Sequence, residues 1–525
     1  NWYESTSGTI ASTTGSTTLG SVAFVDQGND DYRISYSSAC NNTGTSNNAP
    51  SVDFAGNTRN GDSQGYDMGC YEYVCSSANG GLAATSTATV CAGNSGSLTV
   101  SGYTAQAIKW QQSTTSDFSS GVSDVSSGSG ASGETTISLT TGGLSATTYY
   151  RVAASCDGST YDAYSNIITI NVPTGNKYVA DNGNDSNDGN TSGSPYLTLS
   201  YAISQATCGY TINVAAGTYT DDKLDITSLH DGLTITGAGM ESTIFDQSGT
   251  GDHFMEIKSS ATNITITDMK IMDYDENESG GAVDINCGNG IVTFQDVWFD
   301  NNKTTSTYDD GGAVYIDGGE TVTFDRCKFT NNDQYSNSNV EGGVIYANNA
   351  TLTIKNCLFY DNDAYSSNNG LVYLTGSGTN TIINCTFADN TEEPIYQANG
   401  TTSVTNCIFT DNGGIDLETD GGTLNLSYSY YESTSGTITN PNSPSSDGNL
   451  TAGSIDLLGQ DADDYRIGYS SVCKNAGTSS GAPSVDFAET ARNDGSIDMG
   501  CYEYTCGSVS GGTAVDDVTI CKYTS

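Results

Sequence analysis

Few residues in this chain have the chemistry of a reactive or binding centre. The stretch DNGNDSNDGN places Asp181, Asp185 and Asp188 among Asn and Gly, the oxygen ligands that Ca²⁺ prefers. The downstream bidentate Glu of an EF-hand is missing, and the same composition builds hydrogen-bonded Asx turns. The cofactor expectation is therefore calcium at these three residues, or none. There are only 2 histidines, His230 and His253, and neither sits in a recognisable catalytic motif. Of 15 cysteines, Cys327, Cys357, Cys385 and Cys407 follow at intervals of 30, 28 and 22. No His accompanies them, so they read as buried free thiols, which behave as small apolar residues. A metal stair is the weaker reading, and strand geometry seldom permits disulfides between such neighbours.

The elements that hold these residues show in the spacing. VTFQDVWFDNN, VTFDRCKFTNN, LTIKNCLFYDN, TIINCTFADN and SVTNCIFTDN recur with Val297 and the four cysteines at one position. Apolar and polar residues alternate within each unit, the two-residue period of a strand. A second strand is expected at GGAVDI, GGAVYI, GGVIYA and GLVYL. A turn of 22–30 residues with two or three short strands is the footprint of a parallel β-helix, in which like residues stack above like. Phe299, Phe329, Phe359, Phe387 and Phe409 should then form an internal aromatic stack. Asn302, Asn332, Asn362, Asn390 and Asn412 follow three residues later, where left-handed turn geometry is expected.

A longer echo overlies this period. YESTSGTI at Tyr3 returns at Tyr431, and DMGCYEY at Asp67 returns at Asp498; offsets run from 428 to 433. Such self-similarity marks an array whose unit is a whole module. The expected fold class is all-β, a parallel β-helix with a β-sandwich in tandem modules of about 430 residues. The expected division is 1–75, the end of a preceding β-helix; 82–172, a sandwich; 177–505, a β-helix; and 506–525, the start of another sandwich. Net charge is −45, from 61 acidic and 16 basic residues. Such a surface repels nucleic acid and attracts cations. No apolar run approaches the length of a bilayer span, so membrane insertion is not expected.

The rungs resemble the right-handed β-helix repeat domains of secreted bacterial proteins. KYVADNGNDSNDGNTSGSPYLTLSYAISQATCGYTINVAAGTYT is similar to that family's opening segment, and DMGCYEY to its closing motif. Residues 82–172 are similar to the Ig-like modules of very long Bacteroidota-type surface proteins exported by the type IX route. There Cys91, Trp110 and Cys156 give a Cys…Trp…Cys order, which implies a Cys91–Cys156 disulfide; the usual corner tyrosine is Ala154 here. Cys40 with Cys70, and Cys473 with Cys501, flank the closing loop in its two copies and are candidate crosslinks. Cys75, Cys208, Cys287 and Cys506 have no obvious partner.

The resemblance implies an extracellular, cell-surface adhesin or filament module, with other copies of the chain as partners and a cell-surface or glycan ligand possible. The secreted β-helices also include pectate lyases and polygalacturonases, which line one outward face with clustered Asp, Lys and Arg. The outward row of this chain runs Lys270, Trp298, Lys328, Leu358, Thr386, Ile408, without an evident acid–base cluster. The expectation is accordingly no enzyme. The alternatives are a polysaccharide lyase or hydrolase, or a carbohydrate-binding module using Trp298 and Tyr430.

Overall fold

A computed structural model describes residues 22–504. It omits 23, 27–30, 35–37, 60–64, 74, 76, 106, 157, 248–251, 259, 277, 306–309, 335–340, 365–369, 440–446 and 493–495. The expected start of a second sandwich at 506–525, with Cys506, lies outside the described residues, as does Tyr3. The chain divides into two compact units, Asn1–Pro173 and Thr174–Ser525.

The second unit is a parallel β-helix. Its principal sheet system joins 24 strands from Gly175–Val179 to Thr434–Thr439, each pairing with the strand one coil later. Ile264–Met272 pairs in parallel with Ile291–Asp300, which pairs with Thr321–Asp325 and Lys328–Thr330. Successive coils continue to Leu358–Tyr360, Thr386–Ala388 and Ile408–Thr410. Register is set by burial. A shift of one residue would turn Phe329 and Cys327 outward and put Lys328 into the core, so alternation admits one pairing.

The core is therefore made of columns. The rings of Phe299, Phe329, Phe359, Phe387 and Phe409 stack with centroids 4.9, 4.5, 4.4 and 5.1 Å apart and planes within 12° of parallel. Phe294 and Phe324 stack in a second column. Beside them Cys327, Cys357, Cys385 and Cys407 are fully buried free thiols. The Sγ atoms of Cys357, Cys385 and Cys407 donate to the carbonyls of Lys355, Ile383 and Thr405 (3.2, 3.4 and 3.3 Å). Burial pushes these three thiols well above the ordinary range, so they stay protonated.

One expectation about the turns is corrected. Left-handed geometry falls on the residue before the recurrent Asn: Asn301, Asn331, Asp361, Asp389 and Asp411 all have φ of 53–54°. Short side chains that bond their own backbone tolerate that region best. The recurrent Asn instead turns inward and builds a buried amide ladder. Nδ2 of Asn302, Asn332, Asn362 and Asn390 donates to Oδ1 of the next Asn at 3.1, 3.0, 3.0 and 2.9 Å. The second Nδ2 proton of Asn332 goes to the Phe299 carbonyl (3.0 Å), and its Oδ1 accepts from the Asn302 amide (3.0 Å). The ladder supplies donors and acceptors where the coil bends and the sheet cannot.

In the first unit two antiparallel sheets share a core. Leu82–Thr85, Ser97–Ser101 and Ser138–Thr140 form one; Ala107–Ser113, Ser123–Asp124, Thr148–Ser155, Ala163–Tyr164 and Ile168–Ile170 form the other. Trp110 and Tyr150 are fully buried between them with Leu98, Leu139 and Val152. The Trp110 indole donates to the Thr136 carbonyl at 2.9 Å. The implied Cys91–Cys156 bridge is corrected: Cys156 is bonded to Cys75, with Cα atoms 5.2 Å apart. Cys91 belongs to a disulfide too, as does Cys208. Cys40, Cys70, Cys473 and Cys501 are free, so neither closing-loop crosslink forms. Cys473 packs with Ile408 and Met499, whereas Cys501 packs with Leu358 and Tyr360, two separate apolar clusters.

Asn332→Ala should lower unfolding stability by ~2–4 kcal/mol, because it orphans buried groups on both neighbouring coils. Asn331→Ala should cost only ~1–2 kcal/mol, the strain of a left-handed Ala. Chemical denaturation compares them, and the reverse order would contradict the ladder.

Candidate functional site

The outward row of the strands from Ile264–Met272 onward holds the least ordinary cations of the chain. Lys270, Trp298 and Lys328 occupy one register position on three consecutive coils. The Trp298 ring lies between the two ammonium groups, with Lys270 Nζ 3.6 Å and Lys328 Nζ 3.8 Å from its centroid. Lys328 also lies 5.1 Å from the Tyr360 ring. Lys270 Nζ bonds Asp300 Oδ2 at 2.6 Å. The Trp298 indole donates to Thr330 Oγ1 (2.7 Å), which donates in turn to Asp300 Oδ1 (2.6 Å), with Asn331 Nδ2 at 2.9 Å. Burial opposes ionisation of Asp300, but the bonds from Lys270, Thr330 and Asn331 prevail and hold its carboxyl below the usual range.

Lys328 differs from Lys270. Among the described residues it makes no ion pair, although Asp300, Glu241 and Asp463 are near enough to act through space. Burial is the largest influence and draws its ammonium below the ordinary lysine range. From Leu358 onward the row disappears under the C-terminal segment. Leu358, Tyr360 and Ala388 pack against Tyr465 and Cys501, and the Tyr465 hydroxyl donates to Asp389 (3.0 Å). The lysine pair thus lies on the shoulder where cover ends. Strand alternation revealed Lys270, Trp298 and Lys328; Asp300, at a strand end, and Glu241 and Asp463, far away in sequence, were missed. Glu241 and Asp463 come from turns, which carry no periodic signal.

A second face stacks Asp225, Glu256, Asp284, Tyr315, Tyr346, Tyr373, Tyr396 and Glu418 on successive coils. The four tyrosine rings stack at 5.2, 5.7 and 5.1 Å. Beside the acidic end, Asp252, His253 and Glu276 bring ligand atoms within 4.8 Å of one another, the geometry that could hold a metal ion. Buried His253 directs Nε2 at Glu256 Oε1 (3.3 Å), and its Nδ1 faces the Gly280 carbonyl (3.2 Å). Lys223 and Lys258 bond Asp252 and Asp225 (2.8 and 2.7 Å) and offset part of the negative charge. His230 is a helix cap whose Nδ1 accepts from the Thr227 amide (3.1 Å).

Asp181, Asp185 and Asp188 do not converge as a group of ligands. Asp185 Oδ1 accepts from the amides of Leu197 and Thr198, and Asp188 Oδ1 from that of Asn190. Tyr430, the other aromatic considered for a glycan, is buried with Ile408 and Ile455.

Residues 257–449 match the family described as right handed beta helix region, and residues 79–174 match a domain of unknown function (DUF8696). No curated protein matches the chain. Among solved structures it is similar to pectate lyase Pel9A: 16% identity, 63% of this chain and 97% of that one, TM-score 0.42. A rhamnogalacturonan lyase follows at 13% identity, covering 54% of this chain and 90% of that one, with TM-score 0.34. Pectin methylesterase PemA from Erwinia chrysanthemi gives 13% identity, 56% and 96% coverage, and TM-score 0.32. The expectation of no enzyme is thereby corrected: the fold is shared with polysaccharide-active enzymes. In space Asp300 joins the row as the ion-pair partner of Lys270. Disulfide bonding suits a secreted protein. Among the described residues no helix is long and apolar enough to cross a membrane.

Asp284 supplies a pH test. Burial, reinforced by Glu256 and opposed by His253, raises its carboxyl from 3.8 to about 6. The folded state therefore holds the proton more tightly, and stability is lost as pH rises from about 4 through 6. Asp284→Asn should stabilise the protein by ~1–2 kcal/mol at pH 8 and by nothing measurable at pH 4. Thermal unfolding at the two pH values distinguishes this from a pH-independent packing effect.

Proposed function

We propose that this chain is a secreted protein acting on an acidic polysaccharide, and that the Lys270–Trp298–Lys328 shoulder cleaves a polyuronate by β-elimination. The observation that supports it most is Lys328: an amine half-buried between two aromatic rings, without an ion-pair partner among the described residues, and displaced by burial toward its neutral form. A neutral amine is a base, and desolvation moves a lysine toward that form. In a chain of net charge −45, a pair of lysines on one aromatic ring is also a local attractor for a carboxylate.

The chemistry follows from those roles. The Lys328 amine takes the proton on the carbon next to the uronate carboxyl. The electron pair left behind forms a carbon–carbon double bond as the glycosidic oxygen departs, and that oxygen takes up a proton. Negative charge grows on the uronate carboxylate meanwhile, and Lys270, fixed by Asp300, is placed to offset it.

A second reading is supported by the internal duplication: tandem copies of the module forming a long extracellular fibre or adhesin, with other copies of the chain and a glycan as partners. The two are compatible, since an array can carry a glycan-active shoulder on each copy.

Purified chain should release unsaturated oligouronides from polygalacturonate or a related polyuronate, read by ultraviolet absorbance. Lys328→Ala should lower the rate by ~10²–10⁴-fold, the usual worth of a general base. The rate should rise with pH through a midpoint below the ordinary lysine value of ~10.4. Absence of unsaturated product from every polyuronate, together with unchanged glycan binding by Lys328→Ala, would sink the proposal.

A further inference from the structure

The closing motif occurs twice with one internal architecture and two different exteriors. In the later copy, Asn475 N and Tyr504 N donate to the two carboxylate oxygens of Asp498; in the earlier, Asn42 N and Tyr73 N do the same to Asp67. Arg492 bonds Glu503 at 2.8 Å, and Arg59 bonds Glu72 at 3.0 Å. The amides of Glu503 and Glu72 reach Asp486 and Asp53 (2.8 and 3.0 Å). Phe487 N reaches the Cys501 carbonyl and Phe54 N the Cys70 carbonyl, both at 2.8 Å. The two copies are the same small scaffold.

What differs is the cover. The later copy lies on the β-helix. The Cys501 amide donates to Thr386 Oγ1 (3.1 Å), Asn356 Nδ2 to the Val485 carbonyl (3.0 Å) and Asn384 Nδ2 to the Asp498 carbonyl (3.1 Å). Cys501 and Met499 are completely buried there. In the earlier copy Phe54 is 79% exposed, and Val52, Gly69 and Cys70 are exposed as well. The glycines record the same contrast. A Cβ on Gly500 would meet Ile408 Cδ1 at 2.7 Å and Thr386 Oγ1 at 2.8 Å, whereas a Cβ on Gly69 would meet nothing within 4 Å. Gly69 carries a positive φ, and its Cβ direction is open where that of Gly500 is filled.

We propose that the face of Val52, Phe54, Gly69 and Cys70 is a docking surface for a second parallel β-helix of this chain's own type. Its occupant presents an outward Leu/Thr/Ile column with turn asparagines, the chemistry of Leu358, Thr386, Ile408, Asn356 and Asn384. This chain's own column is already taken by residues 471–504, so the occupant is a further copy of the helix. The surface is independent of the lysine shoulder. Its role is to join one copy of the module to another, which rests on the tandem-array reading above.

The repeat supplies its own test. Residues 174–430 are spliced ahead of Tyr3, at the point where Tyr3 and Tyr431 open the same sequence. Alkylation of Cys70, followed by mass spectrometry, should be fast in the parent chain and slower by about tenfold or more in the spliced chain. Phe54→Asp should restore fast alkylation in the spliced chain and leave the parent rate unchanged. An unaltered Cys70 rate in the spliced chain overturns the proposal. So does added sequence that stays protease-sensitive while residues 174–504 remain resistant, since the motif would then fail to close a helix.

Discussion

Everything in the larger unit depends on parallel backbone ladders that place each residue directly over its counterpart one coil away. That constraint turns sequence into columns. A column tolerates what can be repeated about every 5 Å: stacked phenyl rings, thiols that donate to a nearby carbonyl, and amides that both give and accept. It does not tolerate unbroken charge. The column that begins Asp225, Glu256, Asp284 gives way to tyrosines, and burial, with Glu256 alongside, raises the carboxyl of Asp284. Lysines in the Lys270 column are separated by an aromatic ring, and Lys270 is balanced by Asp300 at a strand end.

The asparagine ladder shows how the bends are kept. A β-helix must turn its chain several times per coil, and each turn removes backbone groups from the sheet. The recurrent pair of one left-handed residue and one inward Asn solves both problems together. The first lets the backbone change direction; the second returns hydrogen bonds to the carbonyls and amides that the change would orphan. The columns are thereby continuous through corners as well as along strands.

The lysine shoulder is chemically unusual because it stands at a boundary. Further along, the same face is covered by the closing segment; at the shoulder Lys328 is half-buried beside Trp298 and Tyr360. A lysine is easiest to discharge at such a margin, and a charged polymer can still reach it. The proposed substrate rests on the residues of this face.

The sequence by itself determined the parallel β-helix, the strands of each coil, and the identity of the phenylalanine and cysteine columns. It also showed the duplication. All of these are local or periodic, and burial leaves a two-residue signature wherever one strand face meets the core. Only the tertiary structure decided that Cys156 joins Cys75 rather than Cys91, that Asn332 turns inward while Asn331 takes the left-handed bend, and that Cys473 and Cys501 go to separate clusters. It alone surrounded Lys328 with Trp298, Tyr360 and acids from distant turns. Those outcomes depend on which residues meet after coils have stacked and the closing segment has folded over them. Such meetings join positions tens to more than a hundred residues apart, and no spacing along the chain encodes them.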